Sequence, residues 1–470
     1  MSNRTEEASR IETLEQAGAW LEGLINIERT PDIPYRRLGL GPIEALLARL
    51  DHPENAAPIV HVAGSKGKGS TCLLVEALLG ELGARVGTFT SPHLVSWTER
   101  FRVAGCDVDG DALARAVAKV RPEVEALQGD PATAPTFFDA TTAAALVVFA
   151  DAAADRIVLE VGLGGRLDST NAVAPAVTAI TSIELEHTDR LGNTLGAIAA
   201  EKAGILKPGV PCVVGALPAE AEAVVRSRAD EVGAPLLVHG ADWSVEPAGQ
   251  ARPGHVGRRS LELCFAGGGR VPFELGVPGR HQEHNAGVAL VLVREMLARS
   301  GEAPTDAELG AAAARAWSRL VLPGRLEQVG DAPICLVDAA HTAASAGELA
   351  HHLDALAAPA VALVISVSAD KDVDGVLAPL LARAHAVWAT RAEPIRSLPA
   401  PDLAKRIAEL APGVDVHVEP DVAAACAHAF EEAGSDGVVC AAGSVYLAGA
   451  ARVALMRLAS PATPRARASD

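Results

Sequence analysis

The sequence predicts an α/β protein of two domains, each a mostly parallel sheet covered on both faces by helices. Three observations carry that expectation. Short apolar runs alternate with amphipathic stretches almost from end to end, the rhythm of strand–helix–strand units. The rhythm breaks over residues 242–277, rich in Gly, Pro and Arg, and restarts near residue 334. Finally, 470 residues with 49% hydrophobic and 21% charged side chains suffice for two or three cores in a soluble, globular chain.

The elements follow in order. "PIVHVAG" (58–64) is a buried strand, and "GSTCLLVEALLGELG" (69–83) a helix closed by a C-terminal glycine. "RIVLEVG" (156–162) and "AVTAITSIE" (176–184) are further strands, and "TLGAIAAEKAGILKPG" (194–209) is a helix stopped by Pro-Gly. Residues 242–277 predict an irregular or antiparallel appendage, followed by a helix at about 281–299. The second series of strands is "ICLVDAA" (334–340), "AVALVIS" (360–366), "AVWAT" (386–390), "VDVHVE" (414–419) and "GVVCAAG" (437–443). "WSRLVLPGRLEQVGDAP" (317–333) is the junction, so the expected domains are 1–318 and 319–459, with 460–470 a disordered tail. No internal repeat is present.

The net charge of −18 argues against non-specific binding to nucleic acid or to an anionic membrane. Any polyanion site must therefore gather its positive charge locally. Seven scattered cysteines without a CxxC pair point to reduced thiols in the cytoplasm rather than to a disulfide or zinc framework. The opening "MSNRTEEASRIETLEQ" is too polar and acidic for a signal peptide. No uncharged apolar run reaches the roughly 18 residues of a membrane span.

Four stretches carry chemistry. "VHVAGSKGKGSTCLL" (60–74) places a glycine-rich loop between a strand and a helix. Helix N-termini expose unpaired N–H groups and partial positive charge, which suits phosphates. Gly64, Gly67 and Gly69 let the backbone curl, Lys68 supplies a point charge, and the Ser70 hydroxyl can reach magnesium or phosphate. An ordinary tight turn is the alternative. In "EVGLGGRLDSTN" (160–171), Glu160 sits at a strand end, the edge where open α/β sheets bind ligands. A carboxylate facing a phosphate loop repels ATP unless a cation lies between them, so Glu160 is either a magnesium ligand or a turn cap. "SIELEHTDRLGNTLGAIAAEKAGI" (182–205) brings His187 to the same edge and carries Lys202 mid-helix; an ordinary surface or core histidine is the plainer account of the first, and a solvated helix face that of the second. "TSPHL" (90–94) offers the Ser91 oxygen, or only a Ser-Pro turn.

Taken in order, "HVAGSKGKGS", "TSPHL", "ER" (99–100), "TFFD" (136–139), "EVGLGGRLDSTN", "EHTDRLGNTL", "EKAGILKPGVP", "GRHQEHNA", "LPGRLE" and "GSVYLAGAARV" resemble the folylpolyglutamate synthase and dihydrofolate synthase family of the Mur ligase superfamily. The resemblance runs from about residue 17 to 457. It implies an N-terminal P-loop domain of the Mur ligase central type and a smaller, Rossmann-like C-terminal domain. It also implies an ATP-dependent ligase that forms an acyl phosphate on folate or dihydropteroate and joins it to L-glutamate. By this resemblance Gly64, Ser65, Lys66, Gly67, Lys68, Gly69 and Ser70 hold the ATP phosphates, with Asn285, Arg325, Asp338 and His341 as further nucleotide contacts. Ser91, Glu160 and His187 match the magnesium ligands; Lys202 matches a carbamylated lysine that supports a second magnesium ion. Thr136, Phe137, Phe138, Asp139, Leu167, Asp168 and Ser169 match the pterin-side pocket, although one of two adjacent aromatics is expected to be core. The resemblance also implies a monomer.

The chain departs from the family pattern at Ser65-Lys66, in place of Thr-Asn, at Ala339, in place of a glycine, and at Thr342, in place of an asparagine. The N-terminal "LGLGPIEALL" (38–47) lacks the usual acid–Arg pair. Two alternatives accompany the folate ligase: a paralogue that uses a non-folate acid, and an ATP-binding protein without ligase activity.

Overall fold

The structure, a computed structural model, describes residues 11–26, 39–130, 133–248 and 258–460. The expected tail lies outside the described residues from 461 onward. Two compact units are present; the first ends at Leu320 and the second begins at Val321, with Val277–Arg280 counted in the second.

The first unit contains β1 (Ile59–Ala63), β2 (Val86–Phe89), β3 (Phe101–Val103), β4 (Cys106–Asp107), β5 (Arg156–Glu160), β6 (Val177–Ile180), β7 (Cys212–Val214) and β8 (Leu236–Val238). They form one sheet in the order β4-β3-β2-β5-β1-β6-β7-β8. All neighbours are parallel except β2–β3 and β3–β4. All five β1 residues are buried, as a strand covered on both faces requires. β1 lies between β5 and β6, with Val62 opposite Glu160 and Ala63 opposite Ile180. The chain leaves β1 toward β2 on one side and later crosses to β6 on the other. The ends of β1, β5 and β6 are thus the switch point where such sheets bind ligands. The expected appendage is antiparallel: β9 (Trp243–Pro247), β10 (Arg259–Phe265) and β11 (Arg270–Leu275) form a separate three-stranded sheet.

The second unit contains β12 (Glu327–Asp331), β13 (Ile334–Val337), β14 (Val361–Ile365), β15 (Ala386–Ala389), β16 (Asp415–Val418) and β17 (Val438–Ala442). Their order is β12-β13-β17-β14-β15-β16, with only β12 antiparallel. The α/β class expected from the sequence is therefore the architecture found.

Two elements differ from the sequence reading. β12 lies within the expected junction, 317–333; its pairing with β13 arises from backbone hydrogen bonds and includes an irregularity between Gln328 and Gly330. The helix expected over 194–209 ends at Lys202 and gives way to a 3-10 turn, Ala203–Ile205. The loop after β5 takes the carbonyls needed there: Arg166 N–H donates to Glu201 O at 2.8 Å, and Asn171 Nδ2 donates to Gly204 O at 3.2 Å. No helix among the described residues is long and apolar enough to cross a membrane.

Candidate active site

The glycine loop closes directly on the end of β6. Ser65 N–H donates to Ser182 O at 2.8 Å, and Lys66 N–H to Ser182 Oγ at 2.8 Å. The Lys66 carbonyl accepts from Thr181 Oγ1 at 2.6 Å and from Ser182 Oγ at 3.1 Å. Gly64 and Gly67 have φ of +151° and +84°, the left-handed range that favours glycine. Space requires them as well: a Cβ on Gly64 would lie 1.9 Å from Thr181 Oγ1, and one on Gly67 2.4 Å from Asn285 Oδ1. The helix Lys68–Glu81 starts at once, with Gly67 as its N-cap. The intervening Gly69 leaves room for Glu160, whose Oε2 lies 3.3 Å from the position of an added Cβ.

Lys68 Nζ donates to Gly64 O at 2.8 Å, which folds its charge back over the loop. Lys202 reaches the same carbonyl, at 2.9 Å, although it is 138 residues away. Only 2% of it is exposed, and its second partner is Glu186 Oε1 at 3.0 Å. Burial, and then the nearby Lys68, push the Lys202 amine down to about 8, against the pull of Glu186. Burial alone would raise the Glu186 carboxyl, but Lys68, Lys202 and Lys66 together hold it below its ordinary value. Lys66 has its carboxylate here too, with Nζ 4.0 Å from Glu186 Oε2. Sequence reasoning passed over Glu186; an acid directly beside His187 just after a strand was the available signal.

Of the expected metal ligands, Glu160 and Ser91 meet. Glu160 is 5% exposed at the end of β5, and its Oε2 accepts the Ser91 N–H at 2.9 Å. His187 is exposed, with a left-handed φ of 46°, and caps the short helix Thr188–Leu191. Among the described residues, no three His, Cys, Asp or Glu side chains are grouped closely enough to hold a metal. The Glu160 carboxylate and the Ser70 hydroxyl, which adjoin the loop, and the hydroxyl that Ser91 carries beside Glu160 are hard oxygens of the kind magnesium takes.

Around the helix Phe137–Asp151 the substrate-side residues are tightly knit. Thr136 and Asp139 form a capping box, and Ser169 Oγ donates to Asp139 Oδ1 at 2.6 Å. Burial, only partly offset by those bonds, raises the Asp139 carboxyl above its ordinary value. Asp168 caps the turn Ser169–Ala172 and accepts the Leu163 N–H at 2.9 Å. Phe137 is a core residue, 3% exposed, with its ring 5.8 Å from Trp97. Phe138 and Leu167 are only partly buried. The Phe138 ring stands 5.9 Å from Phe89, over Gly162.

The helix His281–Arg299 buttresses the loop from behind. Gln282 Nε2 donates to Ser70 Oγ at 3.4 Å, and Asn285 Nδ2 to Gln282 Oε1 at 2.9 Å. His284 Nε2 accepts the Ala216 N–H at 3.0 Å, and the ring also bonds the Thr181 backbone. Burial, and then His239, lower His284 to about 4; burial and Lys207 lower His61 to about 3. The unfolded chain takes up these protons first, near the free value of about 6.5. Stability contributed by the neutral rings is therefore lost as pH falls from about 6.5 toward 4, each ring adding a slope of at most about 1.4 kcal/mol per pH unit. The urea midpoint should fall between pH 7 and 5, and His284→Gln should flatten that dependence. An unchanged slope would remove His284 from this account.

In the second unit, Asp338 follows β13; its Oδ2 accepts the Leu326 N–H at 2.6 Å and its Oδ1 the Ala340 N–H at 2.7 Å. Arg325 is exposed, and His341 Nδ1 lies 2.8 Å from Ala339 O. Ala339 is not among the residues with positive φ, so this position makes no left-handed demand for glycine. Thr342 caps the helix Ala343–Leu356 through Ser345, a task that asparagine performs equally well.

A glycine-rich loop carrying Lys68, with the buried Glu160 carboxylate at the adjacent strand end, is the arrangement of a nucleotide-binding α/β unit, and a second, mostly parallel α/β unit follows it in the chain. Residues 62–293 match the Mur ligase middle domain, and residues 324–445 the Mur ligase glutamate ligase domain. The chain belongs to the dihydrofolate synthase/folylpolyglutamate synthase family. It is 34% identical to the dihydrofolate synthase/folylpolyglutamate synthase of Bacillus subtilis over 380 residues, covering 79% of this chain and 84% of that one. Its identity to the Mycobacterium tuberculosis protein of the same name is 32% over 473 residues, covering 92% and 94%. A Mycobacterium tuberculosis folylpolyglutamate synthase complexed with ADP matches at a TM-score of 0.83 and 31% identity, over 94% of this chain and 97% of that one. A bifunctional folylpolyglutamate synthase/dihydrofolate synthase from Yersinia pestis, complexed with AMPPNP and a manganese ion, matches at 0.78 and 31%, over 95% and 98%.

Proposed function

We propose that the protein uses ATP to join L-glutamate to the carboxylate of a folate or of dihydropteroate, in the cytoplasm and as a monomer. The observation that carries the reading is the buried Glu160 carboxylate, bonded by Ser91 N–H at 2.9 Å and set against the loop that carries Lys68. Seven free cysteines fit a reducing compartment.

The loop Gly64 to Ser70 cradles the phosphates through the N–H groups at its helix end, Gly67 to Ser70, while the Ser65 and Lys66 N–H groups anchor it on Ser182, and Lys68 adds charge where the γ-phosphoryl group is transferred. Asn285, Arg325, Asp338 and His341 complete the nucleotide contacts. Glu160, Ser91 and His187 would hold a magnesium ion and carbamylated Lys202 a second one, and the ions would neutralise phosphate charge. Lys202 suits carbamylation in one respect: a buried amine lowered to about 8 is more often neutral, the form that adds carbon dioxide. The product anion would face Glu186, so a cation between them follows from the charges.

Phe138 offers a face to a pterin ring; Phe137, Thr136, Asp139, Leu167, Asp168 and Ser169 build the wall behind it. The substrate carboxylate attacks the γ-phosphorus, ADP leaves, and an acyl phosphate forms. The glutamate amine then attacks the acyl carbon, and phosphate departs with one carboxylate oxygen as the amine loses a proton. Holding carboxylate, phosphoryl group and amine in line is the chain's main task.

ADP release should be measured with ATP, magnesium and glutamate, adding dihydropteroate or tetrahydrofolate in turn. Pterin-dependent release with a glutamylated product is expected. Turnover only with a different acid, or tight ATP binding without turnover, would overturn the reading.

A further inference from the structure

We infer that Lys66 is a second phosphate-directed cation of the loop, held on Glu186 until a phosphate chain draws it away. The inference rests on the nucleotide reading of the loop given above. Lys66 and Lys68 both act on the Glu186 carboxylate, and Glu160 also lies against the loop. With Lys202 carbamylated as proposed above, Lys66 and Lys68 are the loop's own two cations for a polyanion.

The two partners of Glu186 are not equivalent. Lys202 is fixed: it is 2% exposed, pairs at 3.0 Å and also bonds Gly64 O at 2.9 Å. The Lys66 side chain is 32% exposed, and its pair is at 4.0 Å, the loose end of the range. Its backbone is pinned on both sides, by the N–H bond to Ser182 Oγ at 2.8 Å and by the Thr181 hydroxyl on its carbonyl at 2.6 Å. A long, rotatable side chain on a fixed base can exchange one anion for another without loop movement. Partial exposure screens the Glu186 pair, whereas a phosphate held against the loop N–H groups offers a denser charge.

The prediction concerns binding rather than turnover. ADP affinity should be measured by calorimetry with EDTA and, separately, with magnesium, for the wild type, Lys66→Met and Glu186→Gln. Lys66→Met should weaken metal-free ADP binding about tenfold and binding with magnesium by a smaller factor, because the metal already neutralises part of the phosphate charge. Glu186→Gln should strengthen metal-free binding by removing both the competing anion and its repulsion. That variant also deprives the buried Lys202 of its carboxylate, so its folding is checked by circular dichroism, and Lys66→Met decides alone if it is unfolded. Lys66→Met binding metal-free ADP as tightly as the wild type, while both bind ADP with magnesium, would overturn the inference and leave the loop assignment standing. A folded wild type that binds no ADP with magnesium would overturn both.

Discussion

Lys68→Ala is expected to lower the rate of ADP formation by about a hundredfold or more while leaving the fold intact. The side chain lies back over the loop, with Nζ 2.8 Å from Gly64 O and 3.4 Å from Ser65 O, so its charge is in position before substrate arrives. Phosphoryl transfer asks little covalent chemistry of the protein and a great deal of preorganised positive charge. The loop backbone keeps other holds when the Lys68 bonds are lost: Thr181 and Ser182 on Lys66 and Ser65, and Lys202 on Gly64 O. Lys68→Arg should not restore the rate, because a planar fork does not replace a compact ammonium on two carbonyls. Single-turnover ADP formation is the measurement, and near-normal activity in Lys68→Ala would dismantle the loop assignment.

The second large effect belongs to Glu160. Glu160→Gln keeps the size of the side chain and an oxygen to accept the Ser91 N–H, but removes the charge. Turnover should fall by roughly two to three orders of magnitude, the scale of losing one preorganised electrostatic partner, and the magnesium concentration for half-maximal rate should rise. Stability should move the other way or not at all, because a carboxylate only 5% exposed is costly to keep charged in the absence of a cation. A variant that loses stability and activity together would make Glu160 a structural residue; one with normal magnesium dependence would take it out of the metal site.

Much of this site was legible in the sequence for local reasons. The loop announces itself because a backbone that curls around phosphate needs glycines, and Gly64 and Gly67 do take positive φ. Glu160 could be placed because an apolar run ending in an acid puts that acid at a strand end, whatever the rest of the chain does. The second-unit strands β13 to β17 stood out because they include continuous apolar runs such as Val361–Ile365, buried at every position.

What stayed hidden depends on distant parts of the chain. Glu186 meets Lys66 and Lys202 only once β6 lies beside β1, and no local pattern encodes that. β12, "EQVGD", has a single apolar side chain and is a strand only because β13 offers its edge. The early end of the helix at Lys202 follows from Arg166 and Asn171 taking up Glu201 O and Gly204 O, contacts made across more than thirty positions. The adjacent phenylalanines divide as a pair of this kind must: Phe137 enters the core, and Phe138 is left at the surface of it.

Phosphorylation of a carboxylate before the amine attacks leaves a signature in the oxygen atoms, which isotope transfer reads. The substrate carboxylate is labelled with heavy oxygen, one turnover is run with ATP, magnesium and glutamate, and the released phosphate is examined by mass spectrometry. One heavy oxygen is expected in the phosphate and one in the new amide. Unlabelled phosphate alongside a glutamylated product would contradict that order of steps.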